Sequence, residues 1–143
     1  MIIGFPGEKI SEVKKTVNLA LRLYEKNKNA WFPLNIFTPF PETKMFQKSI
    51  EYGFNPPAHL EGWAKLESTG WGRYFNHWLS LKENKLLESI NCTSYAAFPA
   101  AFQRISNKIL KIAFQFYQPF AYLRFKHMFY FMHFEKIFLQ ITD

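Results

Sequence analysis

Met1-Ile2-Ile3-Gly4-Phe5-Pro6-Gly7-Glu8 opens the chain, and its reading decides the fold. A short apolar run enters a Gly-Phe-Pro-Gly turn, so the stretch reads as a buried strand that turns directly into a helix. In that helix Ser11 is the expected N-cap, and Val13, Val17, Ala20, Leu21 and Tyr24 recur on one face. Lys14, Lys15, Asn18, Arg22 and Lys26 take the other face, as in a surface helix lying on a sheet. Ala30 to Thr38 reads as a second, mostly apolar strand, with Pro33 as its defect because proline donates no hydrogen bond to a ladder. The unit is β-α-β, whose crossover is right-handed in nearly every case. Two strands alone leave edges and faces unsatisfied. The expectation is therefore an α/β chain that opens in the middle of a larger domain.

Further along, Pro39-Phe40-Pro41-Glu42-Thr43 breaks the strand, Thr43 caps a short helix over Lys44 to Tyr52, and Gly53 closes it. Pro56-Pro57 is extended, and His59 to Leu66 fits a short helix containing Trp63. Thr69-Gly70-Trp71-Gly72 reads as a turn. A helix is expected from Ser80 to Asn91 with Leu81, Leu86, Leu87 and Ile90 inward. Trp63, Trp71 and Trp78 suggest a loop-rich cover pinned by large side chains.

The tail differs in kind. Residues 99–143 hold 9 Phe and 3 Tyr, and their 6 Lys and Arg face only 2 acids, Glu135 and Asp143. Ile105, Ile109, Ile112, Ala113 and Phe116 form one stripe on a first helix. Pro119 interrupts it and starts a second at the N1 position. In that second helix Lys126, His133 and Gln140 repeat as a narrow polar stripe, with Lys136 beside them. Runs there without a charged residue or histidine, such as Met128 to Met132 and Ile137 to Thr142, are too short for the roughly 20 residues that span a bilayer. Three roles fit this tail: a helical lid, a membrane-interface helix with Phe and Met inward, or a nucleic-acid contact. No nucleic-acid reader motif is present, so no nucleic-acid partner is expected.

Bulk composition narrows the class. The 143 residues are 48% hydrophobic, as in a packed protein. The net charge of +7 makes an acidic surface a natural neighbour. A single cysteine, Cys92, excludes an intramolecular disulfide and an all-cysteine metal cluster held by this chain. Asn91-Cys92-Thr93 matches a glycosylation acceptor, yet the first residues lack the basic and apolar regions of an export signal. The expected location is the cytoplasm, with peripheral membrane contact as a variant.

Chemistry concentrates at the first turn. Glycines after a buried strand permit close backbone approach to a ligand, and the helix start that follows favours anionic or electron-rich groups. Glu8 is placed either to accept hydrogen bonds from a ligand or to orient the turn. The turn is neither a dinucleotide fingerprint nor a P-loop, since both spacings are absent. His59, His77, His127 and His133 show no i, i+4 pair, so no metal-ligating residues are assigned. Spacing supports no catalytic set.

Gly4-Phe5-Pro6-Gly7-Glu8, Thr16, Asn35-Ile36-Phe37-Thr38-Pro39-Phe40-Pro41-Glu42-Thr43 and Gly53 together resemble the closing part of a radical S-adenosylmethionine enzyme. The closer similarity is to the cobalamin-binding branch, supported by Pro56-Pro57, Leu60-Glu61-Gly62-Trp63-Ala64 and the aromatic stretch Phe116-Tyr117, Pro119, Tyr122-Leu123-Arg124. The resemblance implies the C-terminal portion of a partial (β/α)6, TIM-like barrel, followed by a mostly helical tail. It further implies S-adenosylmethionine, a 4Fe–4S cluster and cobalamin as cofactors of the parent enzyme. Gly4, Phe5, Pro6, Gly7 and Glu8 would lie near the adenosyl group, and Ile36, Phe37 and Thr38 would contact adenine partly through backbone groups. These positions are ligand-proximal rather than catalytic.

Departures from the family pattern accompany the resemblance. The Cys-x3-Cys-x2-Cys motif is missing, Glu42 stands where the family has glycine, and Lys9 follows Glu8. The expected organisation is a terminal β-α-β piece (1–53), a loop-rich and helical cover (54–98) and a basic aromatic tail (99–143). The expected function is the C-terminal part of an enzyme for radical methylation, cyclisation or rearrangement, without turnover alone. The expected partner is the missing barrel portion or a split subunit. The alternative is a membrane-surface binding module acting through 119–143.

Overall fold

The computed structural model describes residues 1–67 and 76–129. The elements are β1 (Ile2–Ile3), α1 (Ile10–Lys26), β2 (Asn35–Ile36), α2 (Lys44–Glu51), α3 (Leu60–Glu67), α4 (Leu81–Ala96), a 3-10 helix (Pro99–Arg104) and α5 (Lys108–His127). The turn expected at 69–72, and the tail from 130 onward, fall outside the described residues.

The chain is mostly helical, and this overturns the α/β barrel expectation. One two-stranded parallel sheet is present among the described residues, each strand being two residues long. Ile2 pairs with Asn35 and Ile3 with Ile36. The physical reason lies in what flanks β2. Where a barrel would place a third strand beside Leu34, α4 supplies side chains. Ser94 Oγ accepts the Leu34 N–H at 2.9 Å, and Asn91 Nδ2 donates to the Leu34 carbonyl at 2.8 Å. Ladder groups satisfied by side chains need no neighbouring strand at that point. The second strand is also far shorter than the expected Ala30–Thr38. Trp31 Nε1 bonds the Ser94 carbonyl instead, and Pro33 offers only its carbonyl, which accepts from the Met1 ammonium at 2.8 Å.

The helices follow from local chemistry, with corrections at α1, α4 and α5. α1 starts one residue before Ser11, with Glu12 closing the end by accepting the Lys9 N–H at 2.9 Å. Its inward face is Val13, Val17, Ala20 and Leu21. α2 is capped by Thr43, whose hydroxyl accepts the Phe46 N–H at 3.1 Å. In α4 Leu87 and Ile90 are buried, but Leu81 is exposed, and the helix continues past Asn91 to Ala96. α5 is one helix through Pro119 rather than two. Proline there frees the Gln115 carbonyl, and Gln115, Phe116, Pro119 and Phe120 all face outward, so solvent satisfies it. The stripe that includes Ile109, Ile112 and Phe116 is not the face that meets the core. Phe114, Ala121, Arg124 and Phe125 are buried, whereas Ile109, Ile112 and Phe116 are exposed.

The main core joins Ile3, Val13, Val17, Leu34, Leu87, Ile90, Phe98 and Phe125, so it draws on both strands, α1, α4 and α5. A smaller cluster of Ala96, Phe102, Phe114 and Ala121 packs the 3-10 helix against α5. Among the described residues no helix is long and apolar enough to cross a membrane.

Candidate functional site

Both strands end at the same side because they run parallel, and the loops that leave them meet there. After β1, Phe5-Pro6-Gly7-Glu8 closes a β-turn in which the Glu8 N–H donates to the Phe5 carbonyl at 2.9 Å. Proline at the second position and glycine with φ +82° at the third are the requirements of a type II turn. Gly7 is also held closely, since a Cβ there would sit 2.8 Å from the Tyr52 hydroxyl. Gly4 has φ +83°, and a Cβ would meet Leu87 Cδ1 at 2.8 Å and Asn76 Nδ2 at 3.1 Å. Both glycines are thus dictated by backbone conformation and by crowding.

Glu8 orients the turn. Its Oε2 accepts the N–H groups of Gly4 and Phe5, the latter at 3.1 Å. These amides are therefore committed within the loop, while Glu8 Oε1 carries no bond among the described residues. The Gly4 carbonyl is likewise occupied, accepting from Asn76 Nδ2 at 2.8 Å and Trp78 Nε1 at 3.1 Å.

What the loops bring together is aromatic. The Phe5 and Phe37 rings lie 4.7 Å apart with an interplanar angle of 33°. Phe37 and Trp78 continue the row at 6.2 Å. Phe37 is buried, and Phe5, Ile36, Thr38 and Trp78 are half-buried. Phe37 is the buried middle of the row, and the half-buried Phe5 and Trp78 rings at its ends are the apolar surface open to a planar ligand. At β2 the ladder bonds run from Asn35 and Phe37 to β1, so the Ile36 backbone groups face the opposite edge.

The structure therefore brings Gly4, Phe5, Pro6, Gly7 and Glu8 together with Ile36, Phe37 and Thr38 at one end of the strand pair. Sequence reasoning missed Asn76, Trp78 and Tyr52 as their supports. Trp78 was one of three tryptophans read as pins of a cover, whereas Asn76 carried no sequence signal. Asn76 is 1% exposed, and its Oδ1 has no hydrogen-bond partner among the described residues. Beside β2, the Tyr95 hydroxyl donates to Asn35 Oδ1 at 2.8 Å, and burial, with a smaller effect from Cys92, pushes its phenol pKa up.

Among the described residues no three His, Cys, Asp or Glu side chains converge as a metal site. Cys92 is fully buried within α4 and is the only cysteine of the chain. Iron–sulfur clusters are held mainly by several cysteine thiolates, so the residues present do not fit such a cluster. Asn91 is buried with its amide on Leu34, which withholds it from glycosylation in this fold. Compared with known protein families, characterised proteins and solved structures, the chain finds no match.

Proposed function

We propose that this chain contributes a ligand-contacting face to a radical S-adenosylmethionine enzyme of the cobalamin-binding branch. S-adenosylmethionine is the substrate, and its adenosine lies against the Phe5–Phe37–Trp78 row. One observation supports the reading. The two stretches that carry the resemblance, Gly4–Glu8 and Ile36–Thr38, meet at one end of a parallel strand pair, with Phe5 and Phe37 4.7 Å apart. The reading rests on these loops and their motifs, not on a barrel.

The roles follow from the geometry. The half-buried Phe5 and Trp78 rings, backed by buried Phe37, provide stacking area for a purine, and the Ile36 backbone edge provides a donor and an acceptor beside it. Glu8 holds the turn through Oε2 and leaves Oε1 to accept from sugar hydroxyls. Any iron–sulfur cluster and cobalamin belong to another polypeptide or another part of the parent enzyme, and the chain alone does not turn over. The parent reaction is radical methylation, cyclisation or rearrangement of an organic substrate.

Amide-resolved NMR titration with S-adenosylmethionine tests this. Without a cluster to chelate the amino acid moiety, binding is weak, on the order of 1 mM or about −4 kcal/mol. The expected result is saturable shifts at Gly7, Glu8, Phe37 and Thr38 that Phe37→Ala weakens. Absence of shifts at these residues, or shifts confined to α5, overturns the reading.

A further inference from the structure

The outer face of α5 has no use in the site above. Ile109, Ile112, Phe116, Phe120 and Leu123 are 81%, 53%, 83%, 41% and 49% exposed. Their spacing of three and four residues places all five on one stripe of a continuous helix. A helix of 20 residues is about 30 Å long, so the stripe runs over several turns. Scattered exposed apolar residues need no explanation, but an aligned row of five does.

Charge says what covers it. From Ser89 to Phe134 the sequence contains no Asp or Glu, while Arg104, Lys108, Lys111, Arg124 and Lys126 all fall there. Lys108 and Lys126 stand five turns apart and therefore share one flank of the stripe, both exposed. Behind them a groove of about 290 Å³ between the 3-10 helix and α5 is lined by Pro99, Phe102, Gln103, Lys111, Gln115 and Gln118, an ammonium and three amides without an acid. Apolar side chains bounded by lysines on an acid-free helix are the pattern of a segment lying in a membrane interface. A second copy fits poorly, because pairing two α5 faces sets Lys108 and Lys126 against like charges. Nucleic acid fits poorly as well, because Ile109, Ile112 and Leu123 offer neither stacking planes nor phosphate contacts.

We infer that the α5 stripe docks on an anionic lipid surface. Ile109, Ile112, Phe116, Phe120 and Leu123 enter the acyl boundary, and Lys108 and Lys126 lie at the headgroups. The helix lies on the bilayer, since none of the described helices is apolar enough to cross it. This shifts the membrane contact expected at 119–143 toward the first turns of α5.

Vesicle flotation with the full chain tests the inference. Phosphatidylcholine vesicles are compared with vesicles containing about 30% phosphatidylserine, at low salt and at about 0.5 M salt. The expected result is binding at least about tenfold stronger to the anionic vesicles and weakened by salt. The double variant Phe116→Ser/Leu123→Ser should reduce binding about tenfold or more. Lys108→Glu/Lys126→Glu should do the same without touching apolar area. The substituted side chains are exposed, so unchanged circular dichroism is expected. If the serine variant fails to fold, the charge variant decides alone. Equal binding to both vesicle types, no binding, or binding that neither variant weakens overturns the inference. A dimer that the serine variant dissociates, or RNA binding without vesicle binding, overturns it too. The outcome is separable from the S-adenosylmethionine titration, which reads the opposite loops.

Discussion

α4 and α5 pack against each other, yet each inverts the usual rule of polar outside and apolar inside. α4 buries Asn84, Glu88, Ser89, Asn91, Thr93 and Ser94. α5 exposes Ile109, Ile112, Phe116, Phe120 and Leu123. The difference teaches what each helix is for. Asn91 and Ser94 of α4 finish the backbone bonds beside a sheet too small to finish its own. Asn84 receives the Asn76 N–H at 2.8 Å and donates to the Asn76 carbonyl at 3.0 Å, so it also holds the residue that supports Gly4. α5 needs only its narrow inner edge for the core, and its outer face is left over for something else.

The comparison breaks most sharply at phenylalanine. Phe98 is fully buried and touches the rings of Tyr24, Phe32 and Phe125, so it ties α1, the β2 approach and α5 together. Phe98→Ala should cost about 3–5 kcal/mol, whereas Phe116→Ala should stay within about 0.5 kcal/mol. Urea denaturation of both variants measures the gap. Similar losses would mean that the outer face of α5 is part of the core.

A smaller effect sharpens the reading of α4. Asn91→Ala removes the donor to the Leu34 carbonyl and leaves that buried acceptor unsatisfied, a loss of about 1–3 kcal/mol. Hydrogen exchange at the Leu34 amide, which Ser94 Oγ accepts on the same edge, should rise along with it, because that edge opens to water. A stability loss without faster exchange at Leu34 would show that Asn91 acts by packing alone.

This contrast also explains how much was legible beforehand. Helix α1 was readable because its apolar stripe is local and regular, and the cap at Thr43 was readable because it bonds within one turn. The approach of Gly4–Glu8 to Ile36–Thr38 followed from strand order. The barrel did not survive, because the length of a strand depends on partners that the chain replaces with Ser94 and Asn91. Burial of polar side chains in α4 could not be read from periodicity, since Asn91 and Ser94 are matched by Leu34, far along the chain. The sequence shows the stripe of Ile109 and Phe116 but not its direction, because hydrophobicity alone does not say which of two apolar faces meets the core. Asn76 and Tyr52 have no local signal at all, and only contacts far along the chain give them a role.

The smallest effect separates the starts of the two helices by pH. α4 begins with Ser80, whose N–H and hydroxyl both donate to Glu83 Oε2, at 2.9 and 2.6 Å. Ser80 Oγ accepts the Glu83 N–H in return at 3.3 Å. The Ser80 hydroxyl, and then its backbone N–H, hold the Glu83 carboxyl below its ordinary value. A carboxyl with a folded pKa below the unfolded one stabilises above the unfolded value and loses that contribution as pH falls through the folded one. α5 begins with Asn107, whose Oδ1 accepts from Ile109 and Leu110 at 3.0 and 3.2 Å, and its first turn holds no acid. Ser80→Ala and Asn107→Ala should each cost about 1 kcal/mol at neutral pH. On acidification below about pH 4 the Ser80→Ala deficit should shrink, and the Asn107→Ala deficit should not. Urea midpoints of the wild type and both variants across this range provide the measurement. A Ser80→Ala deficit that stays constant with pH would show that the hydroxyl–amide bond alone closes α4 and that the charge of Glu83 adds nothing.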